Sequence, residues 1–290
     1  MHLKTDDSFD RRSVMLMLAS VVLFAANTLL IRAVSQHIPA VDGWLATIFR
    51  GGIGLLVVFA LYGRGRGLEP KRLFTGRLIT IRGIVGALSI IAFYITIVKL
   101  GAARAVILNL TYPIFATIIA AIWLKEKISR AAMLWMVVGF CGLVVFLSGH
   151  GQLLRPSPYD LLALAGAVGA GCVVVIIRRL RHEEHPATIY ASQAFYSLVI
   201  AAPSAMKLPG LPVSAWCGLA AGAVIVTFAQ LVMTRAYQFM SVSRGSSLQM
   251  LLPLTTAVGG YAFFGESFHP VEIAGALLTL LATWRVVVSR

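Results

Sequence analysis

The chain contains ten apolar stretches of about twenty residues each, separated by short clusters of charged residues or by Pro and Gly. A helix of about 20 apolar residues crosses the roughly 30 Å hydrocarbon core of a bilayer, so each stretch predicts one transmembrane helix. Of the residues, 59% are hydrophobic and only 12% are charged, whereas about a quarter of the residues in soluble domains are charged. This pattern excludes a water-soluble fold and predicts an all-α integral membrane protein.

The predicted helices lie between the charge clusters and the Pro/Gly breaks. They cover residues 13–34, 41–62, 77–98, 102–124, 131–148, 159–180, 187–206, 213–237, 242–264 and 270–288. Residues 1–12 form a predicted tail, and residues 149–158 a linker between the first five helices (13–148) and the last five (159–288). The first stretch is too long for the apolar core of a typical signal peptide, so we expect it to be the first helix.

The formal net charge of +14 does not indicate a nucleic-acid partner, because the basic residues are not gathered on one solvated face. They lie instead in short clusters between the apolar stretches, mostly on one side of the predicted bundle. The basic side holds Lys4, Arg11, Arg12, Arg64, Arg66, Lys71, Arg72, Arg77, Lys125, Lys127, Arg130, Arg178, Arg179, Arg181 and Arg290, and the other side little beyond Lys99, Arg155 and Lys207. The positive-inside rule then predicts a multi-pass protein of a bacterial inner membrane with both termini in the cytoplasm.

An internal repeat is the most specific signal in the chain. Residues 101–128 align without a gap on residues 241–268, matching Arg104 with Arg244, Leu108 with Leu248, Pro113 with Pro253 and Glu126 with Glu266. Each repeat holds five predicted helices, an odd number, so the second repeat enters the membrane from the opposite side. The sequence thus predicts ten transmembrane helices as two inverted five-helix repeats, an architecture that suits alternating access in transporters.

These features carry a resemblance to a known family. Each repeat has a proline followed by a glutamate, Pro113 with Glu126 and Pro253 with Glu266, and then a helix rich in small residues, at 139–145 and 273–280. The chain resembles the EamA-type members of the drug/metabolite transporter superfamily along its whole length. The resemblance implies the ten-helix fold and transport of a small molecule, and leaves the solute open.

Polar side chains inside membrane helices are costly and usually face the interior of the bundle. The candidates for solute binding are Asn27, Thr28, Asn109, Thr227, Gln230 and Gln249. Asn109 and Gln249 align in the repeat, each four residues before its proline, and are the strongest candidate pair for hydrogen bonds to a solute. The alternative for each is a hydrogen bond between helices, which is common in bundles.

Aromatic and basic residues add further candidates. Tyr94, Tyr112 and Phe228 are expected to offer apolar contact, with a hydroxyl on the two tyrosines. Arg50 lies near the middle of its span and Arg82 about two turns into the next, and a buried guanidinium can hold a carboxylate or phosphate by two hydrogen bonds. Capping of helix ends or snorkelling to the interface is the alternative role.

Pro113 and Pro253 are predicted to kink their helices, because a proline removes one backbone hydrogen bond and disturbs the preceding turn. Both copies of the repeat keep the proline, which favours a pair of kinks beside the solute site. A static kink that only improves packing is the alternative.

All eleven acidic residues fall in predicted tails, loops or helix ends. Many proton-coupled carriers use a carboxylate near the bilayer centre, so proton coupling through a buried acid is not supported. We expect Glu126 and Glu266 to anchor helix ends, Glu126 near Lys125, Lys127 and Arg130. The chain shows neither a catalytic constellation nor metal-ligand spacing, so we predict no catalytic residues, no metal and no cofactor, and no enzyme.

The leading functional prediction is a secondary carrier for amino acids or related metabolites, working as an exporter. Uptake of a vitamin or a nucleoside-like compound such as riboflavin is the alternative within transport. A membrane-embedded enzyme acting on lipid and a partner protein without transport activity belong to other classes. The predicted partners are a small-molecule solute and the lipid bilayer, and the chain is expected to be a monomer or a homodimer.

Overall fold

The computed structural model describes residues 11–38, 41–63, 65–100, 105, 108–148, 157–180, 183–265 and 268–288. Within these ranges it leaves out the side chains of Ser35, Tyr94, Ile97, Val98, Leu147 and Ser148. The described residues are almost all helical and contain no strand. The all-α prediction is therefore confirmed for this part of the chain.

The first half of the chain runs from α1 to α6. Its helices are α1 (Arg11–His37), α2 (Gly43–Tyr62), a short α3 (Arg72–Thr75), α4 (Arg77–Leu100), α5 (Tyr112–Ile119), which continues into a π-helical turn (Ala120–Leu124), and α6 (Arg130–Ser148). The second half holds α7 (Pro158–Arg179), α8 (Pro186–Ala201), which continues as a 3₁₀ helix (Ala202–Gly210), α9 (Val213–Phe239), α10 (Val242–Gln249), α11 (Leu252–Phe264) and α12 (Pro270–Val288).

Several helices begin where the sequence supplies a cap. Asp42 accepts a hydrogen bond from the backbone N–H of Leu45 and starts α2. Ser157 and Asp160 form a capping box at the start of α7, with Pro158 in the first turn. Such side chains satisfy the N–H groups that the first turn of a helix leaves without partners, which places the helix starts close to the predicted boundaries.

The regular α-helical hydrogen bonds break just before each proline of the repeat, where i+3 bonds such as Thr111 N–H to Leu108 and Leu251 N–H to Leu248 replace them; the kinks themselves stay a prediction. Pro253 lies in the first turn of α11, and α10 ends just before it at Gln249. Pro113 likewise lies in the first turn of α5. Because proline has no N–H and clashes with the preceding turn, a new helix starts at each of these positions.

The two helices that follow these prolines also end alike. Lys125 ends the π-helical turn with φ 55°, and Gly265 ends α11 with φ 66°. These residues are aligned in the repeat, and both adopt the left-handed conformation that closes many helices. The two copies therefore share a backbone conformation at this end, although only the second has the glycine that favours it.

Large apolar side chains cover the outside of the bundle. Met15, Leu56, Ile122, Val258 and Phe263 are each at least about two-thirds exposed. A soluble monomer rarely exposes so much contiguous apolar surface. Five of the described helices, α1, α2, α7, α9 and α12, are long and apolar enough to cross a membrane. The protein is therefore a multi-pass membrane protein.

The helix contacts keep their pattern when the two halves are exchanged. Helix α1 packs on α9, and its counterpart α7 packs on α4. Helix α2 packs on α9, and its counterpart α8 packs on α4. Helix α5 packs on α7, and its counterpart α11 packs on α1. Two further pairs join equivalent helices, α2 with α8 and α6 with α12, and α5 also contacts α10 across the halves. The halves thus interlock, and most major contacts cross between them.

The contact between α6 and α12 depends on small residues. A Cβ on Gly275 would lie 2.5 Å from the backbone nitrogen of Phe146 and 2.7 Å from the carbonyl oxygen of Gly142. A Cβ on Gly142 would lie 2.8 Å from the Thr279 hydroxyl, which itself hydrogen-bonds the carbonyl of Gly139 across the interface at 3.3 Å. Close backbone approach through small residues is a main source of helix association in membranes.

We expect Gly275→Ala to lower the melting temperature of the detergent-purified protein, because the added methyl group forces α6 and α12 apart. Overpacking of this kind costs about 1–3 kcal/mol. The matched control is Gly210→Ala, where a Cβ meets nothing within 4 Å. Equal melting temperatures for the two variants would show that the close contact does not stabilise the bundle.

Candidate functional site

A group of polar side chains, all buried except the half-buried Arg50, lies between α2, α4, α8 and α9, at the junction of the two halves. We call this group the central polar cluster, and it consists of Arg50, Arg82, Tyr190, Gln193, Thr227 and Gln230. Tyr190 and Gln193 are three residues apart on α8, and Thr227 and Gln230 are three apart on α9. This spacing puts each pair on one face of its helix.

Hydrogen bonds connect most of the cluster across the halves. The guanidinium of Arg50 in α2 donates to Oε1 of Gln230 in α9 at 3.0 Å. The hydroxyls of Tyr190 in α8 and Thr227 in α9 lie 2.9 Å apart. The Tyr190 hydroxyl reaches this position over Gly54, where a Cβ would clash with it. Three helices from both halves are therefore joined through polar contacts.

Arg82 departs furthest from this pattern. Its side chain is 0% exposed, and Nε, Nη1 and Nη2 have no hydrogen-bond partner among the described residues. Oε1 of Gln193 and the hydroxyl of Ser197, one turn further along α8, are also buried without a partner there. Buried polar groups in proteins are nearly always hydrogen-bonded, so this concentration of unsatisfied groups singles out the α4–α8 interface.

The structure brings Arg50, Thr227 and Gln230 together, three of the residues that the sequence proposes for solute binding. Asn27 lies elsewhere, packed against α9, where its Oδ1 would be 3.0 Å from a Cβ on Gly222. Thr28 is exposed and donates to the carbonyl of Phe24 in its own helix at 2.9 Å. Phe228 is also exposed, so neither Thr28 nor Phe228 belongs to the central polar cluster.

Gln249 and Asn109, the aligned pair, differ in their surroundings. The amide nitrogen of Gln249 is 3.1 Å from the Ser20 hydroxyl and 3.0 Å from the Met17 sulfur, both on α1. This is the hydrogen bond between helices that the sequence left as the alternative. Asn109 is partly buried at the end of the described helical residues before Pro113.

Tyr112 belongs to a second polar contact, with Tyr237 of α9. The Tyr237 hydroxyl also lies 3.3 Å from that of Ser246 in α10. Tyr94 is a candidate for contact with the solute through its ring and hydroxyl, and its side chain lies outside the described part of the structure. Tyr190 was not proposed from the sequence at all, because a tyrosine in an apolar helix carries no signal that shows which way its hydroxyl points.

Glu126 anchors a helix end, but its partner differs from those expected. Its carboxylate accepts from Nε of Arg178 at 3.3 Å and from the backbone N–H of Val242 at 3.1 Å. Arg178 also donates to the carbonyls of Tyr237 and Gln238 at 3.1 and 2.9 Å. Both charged side chains are buried. The Glu126 carboxylate of the first half thus binds the end of α7 and the start of α10, and Arg178 connects it to the end of α9.

The expectation that Glu126 pairs with its sequence neighbours omitted Arg178. In the sequence, Arg178 belongs to a cluster of predicted cytoplasmic basic residues. Only the tertiary contact of α5 with α7 brings its side chain to Glu126. The aligned Glu266 lies outside the described residues.

The comparison with known protein families is consistent with this architecture. A model of the EamA-like transporter family matches the chain twice, over residues 11–148 and 157–288. The chain belongs to the EamA-like transporter family. It is therefore a membrane protein of a family of small-molecule transporters, and the two matches correspond to the two halves of the helix bundle.

Individual relatives of this EamA-like chain transport different molecules. The pseudopaline exporter of Pseudomonas aeruginosa is 27% identical over 284 residues, which cover 94% of each chain. The S-adenosylmethionine uptake transporter of Rickettsia bellii is 21% identical over 278 residues, covering 94% of this chain and 92% of the relative. The riboflavin transporter of Vibrio cholerae is 25% identical over 168 residues, covering 55% and 54%.

A solved crystal structure shares the fold of this EamA-like chain. It superposes with a TM-score of 0.80 at 17% sequence identity, covering 94% of this chain and 95% of the other. The family and the fold are therefore shown, whereas the relatives differ in solute and in direction of transport.

We expect Glu126→Gln to destabilise the protein by about 3–5 kcal/mol, because it leaves the buried charge of Arg178 without its counter-ion. Thermal unfolding in detergent measures the effect. The control is Glu183→Gln, which removes a carboxylate from the exposed pair with Arg179 and is expected to change stability by at most about 1 kcal/mol. Similar losses in both variants would contradict a special role for the buried pair.

Proposed function

We propose that the protein is a secondary carrier that moves a small organic metabolite across the bacterial inner membrane by alternating access of its two halves. The observation that carries this proposal is the packing pattern, which is preserved when the halves are exchanged and encloses the central polar cluster between them. Two halves with equivalent contacts can exchange roles, so that a site between them opens first to one side and then to the other.

The proposed topology has ten transmembrane helices as two inverted repeats of five, with both termini in the cytoplasm. In this assignment the predicted span 102–124, which ends with α5 and its π-helical turn, forms the fourth crossing, and α10 with α11 forms the ninth. The concentration of Lys and Arg between alternate helices supports the orientation. Pro253 has no N–H to donate to the carbonyl of Gln249, and broken helices in carriers place such freed backbone groups beside the solute site.

For the solute and its direction, we propose export of an amino acid or a related compound. The pseudopaline exporter, 27% identical along 94% of each chain, supports export. The S-adenosylmethionine uptake transporter covers nearly as much of both chains at a lower identity of 21%, and supports uptake. The central polar cluster offers donors and acceptors suited to a polar metabolite. Uptake of a vitamin such as riboflavin rests on a relative that matches about half of this chain. An enzyme acting on lipid would require a catalytic group at the bilayer surface, and its test is turnover of lipid in the same vesicles.

The buried acidic side chains of the described helices lie at helix ends. Glu126 follows the π-helical turn, and Glu272 lies in the first turn of α12, where it accepts from the N–H of His269 at 2.6 Å. We therefore propose facilitated diffusion or exchange in preference to proton coupling through a central carboxylate.

Solute counterflow in proteoliposomes tests the carrier. Vesicles are loaded with unlabelled aromatic amino acids, aliphatic amino acids or riboflavin, and the labelled solute is added outside, with and without an imposed pH gradient. Transient accumulation of one class without the gradient is the expected result. Accumulation of riboflavin alone would favour the uptake alternative, and the absence of counterflow with every solute would contradict the proposal.

We expect Gln230→Leu to lower the rate of counterflow by about tenfold or more, because it removes the hydrogen bond that holds the Arg50 guanidinium in the cluster. Hydrogen bonds to charged groups contribute about 1.5–3 kcal/mol. Gln36→Leu makes the same substitution at an exposed position of α1 and is the control. Equal rates in both variants would show that the Arg50–Gln230 contact plays no part in transport.

A further inference from the structure

The guanidinium of Arg82 is a fully buried cation without a described counter-ion. It is 0% exposed, so it does not snorkel to the surface in this conformation. None of its three nitrogens has a partner among the described residues. A charge buried without compensation destabilises a folded protein by several kcal/mol, so a group that binds the guanidinium would regain a large amount of free energy.

The surroundings of Arg82 make an anion the fitting occupant. The charged group that acts on it most strongly is a second cation, Arg50, and the Tyr190 hydroxyl lies within electrostatic range as well. Arg50 itself donates to a neutral amide oxygen, that of Gln230. Two guanidinium groups therefore lie in one region, that of Arg82 fully buried and that of Arg50 half-buried, and the hydrogen bonds described there bring no carboxylate to either of them.

An unsatisfied acceptor lies at the same interface. Arg82 and Gly86 are one turn apart on α4, so they share a face of that helix. A Cβ on Gly86 would be 3.1–3.2 Å from the side-chain amide of Gln193, whose Oε1 is buried without a partner. The interface between α4 and α8 thus offers the guanidinium donors of Arg82 and, about one helical turn away, the acceptor oxygen of Gln193.

We infer that Arg82 binds the carboxylate of the transported solute, and that Gln193 accepts a hydrogen bond from an N–H or O–H group of the same molecule. This inference rests on the proposed carrier function and narrows its substrate class to organic acids that also carry a hydrogen-bond donor, such as amino acids and hydroxy acids. The planar fork of arginine matches the two oxygens of a carboxylate, and Arg50 adds positive charge nearby.

The inference also explains why no buried acid is needed at the centre of the bundle. A carboxylate from the protein would neutralise Arg82 permanently and compete with the solute. When the solute supplies the carboxylate, the charge is compensated only in the loaded protein. Binding of the acid then stabilises the folded protein, because a ligand that binds only the folded state shifts the unfolding equilibrium.

The first test is a binding panel on the purified full-length protein in detergent, read out as a shift in melting temperature. The panel pairs L-phenylalanine with L-phenylalaninamide, L-leucine with L-leucinamide, and phenyllactate with its amide, and adds inorganic phosphate. We expect at least one acid to stabilise the protein while its amide, which lacks the carboxylate, does not. The inference is overturned if the amides raise the melting temperature as much as their acids, or if no acid raises it. It is also overturned if phosphate alone raises it, since the ligand is then a phosphate and not a carboxylate.

Substitutions at Arg82 separate a binding role from a structural one. Arg82→Lys keeps the charge but loses the fork, and we expect it to weaken binding of the stabilising acid by about tenfold or more. Arg82→Met removes the buried charge; we expect it to abolish the acid-dependent shift and to raise the melting temperature of the protein without solute. A lower melting temperature of Arg82→Met would mean that the arginine serves the fold.

Arg179→Met is the matched control for Arg82→Met. It removes an arginine from the surface, where Arg179 pairs with Glu183 at 2.8 Å, and is expected to leave the acid-dependent shift unchanged. Gln193→Leu removes the acceptor and is expected to weaken binding of amino and hydroxy acids more than binding of 3-phenylpropionate, which has the carboxylate without the neighbouring donor. Equal weakening of both ligand types overturns the role of Gln193.

Counterflow distinguishes failure of this inference from failure of the carrier function. Counterflow of a neutral solute that persists in Arg82→Met would leave the carrier in place and overturn the acid site. Stabilisation by acids that depends on Arg82, without counterflow of those acids, would keep the binding site and contradict transport.

Discussion

The interior of a bilayer offers no hydrogen-bond partners, and this constraint governs the polar groups that lie at membrane depth. The helices satisfy most of their own backbone groups, so several of the side chains that remain polar at that depth find partners within the bundle. Thr227 and Tyr190, Arg50 and Gln230, and Gln249 and Ser20 all meet across helices. Since such contacts lie inside the bundle and apolar side chains cover its outside, the polar cluster can exist only where the two halves meet.

Two buried arginines illustrate how differently this constraint can be met. Arg178 is held by a carboxylate and two backbone carbonyls, and its network fastens α5 of the first half to three helix ends of the second. Arg82 is just as buried, yet none of its nitrogens is bonded within the described structure. The first arrangement is that of a structural anchor, and the second is that of a site whose partner arrives with the solute.

Close helix contacts and the proline interruptions determine where these groups lie. Glycines 142 and 275 bring α6 and α12 into backbone contact, and Gly54 gives Tyr190 room to reach Thr227. The interruption before Pro253 ends α10 at Gln249 and lets α11 start anew. These glycines and prolines are local features of the sequence, yet they act on contacts between the two halves. If each repeat holds an odd number of helices, equivalent segments approach each other from opposite sides of the membrane.

The sequence by itself determined the all-α membrane character, the approximate ends of several helices and the internal repeat. Hydrophobicity, caps and prolines act on neighbouring residues, so their effect can be read locally. It also identified Thr227, Gln230 and Arg50 as candidates, since a polar residue in an apolar helix is conspicuous. Only the tertiary structure decided that Gln249 bonds to α1, that Glu126 pairs with Arg178 and that Tyr190 joins the cluster. Those contacts link residues that are far apart in the chain. The direction in which a helix presents its polar side chains depends on how the helices pack, and no single stretch of sequence encodes that packing.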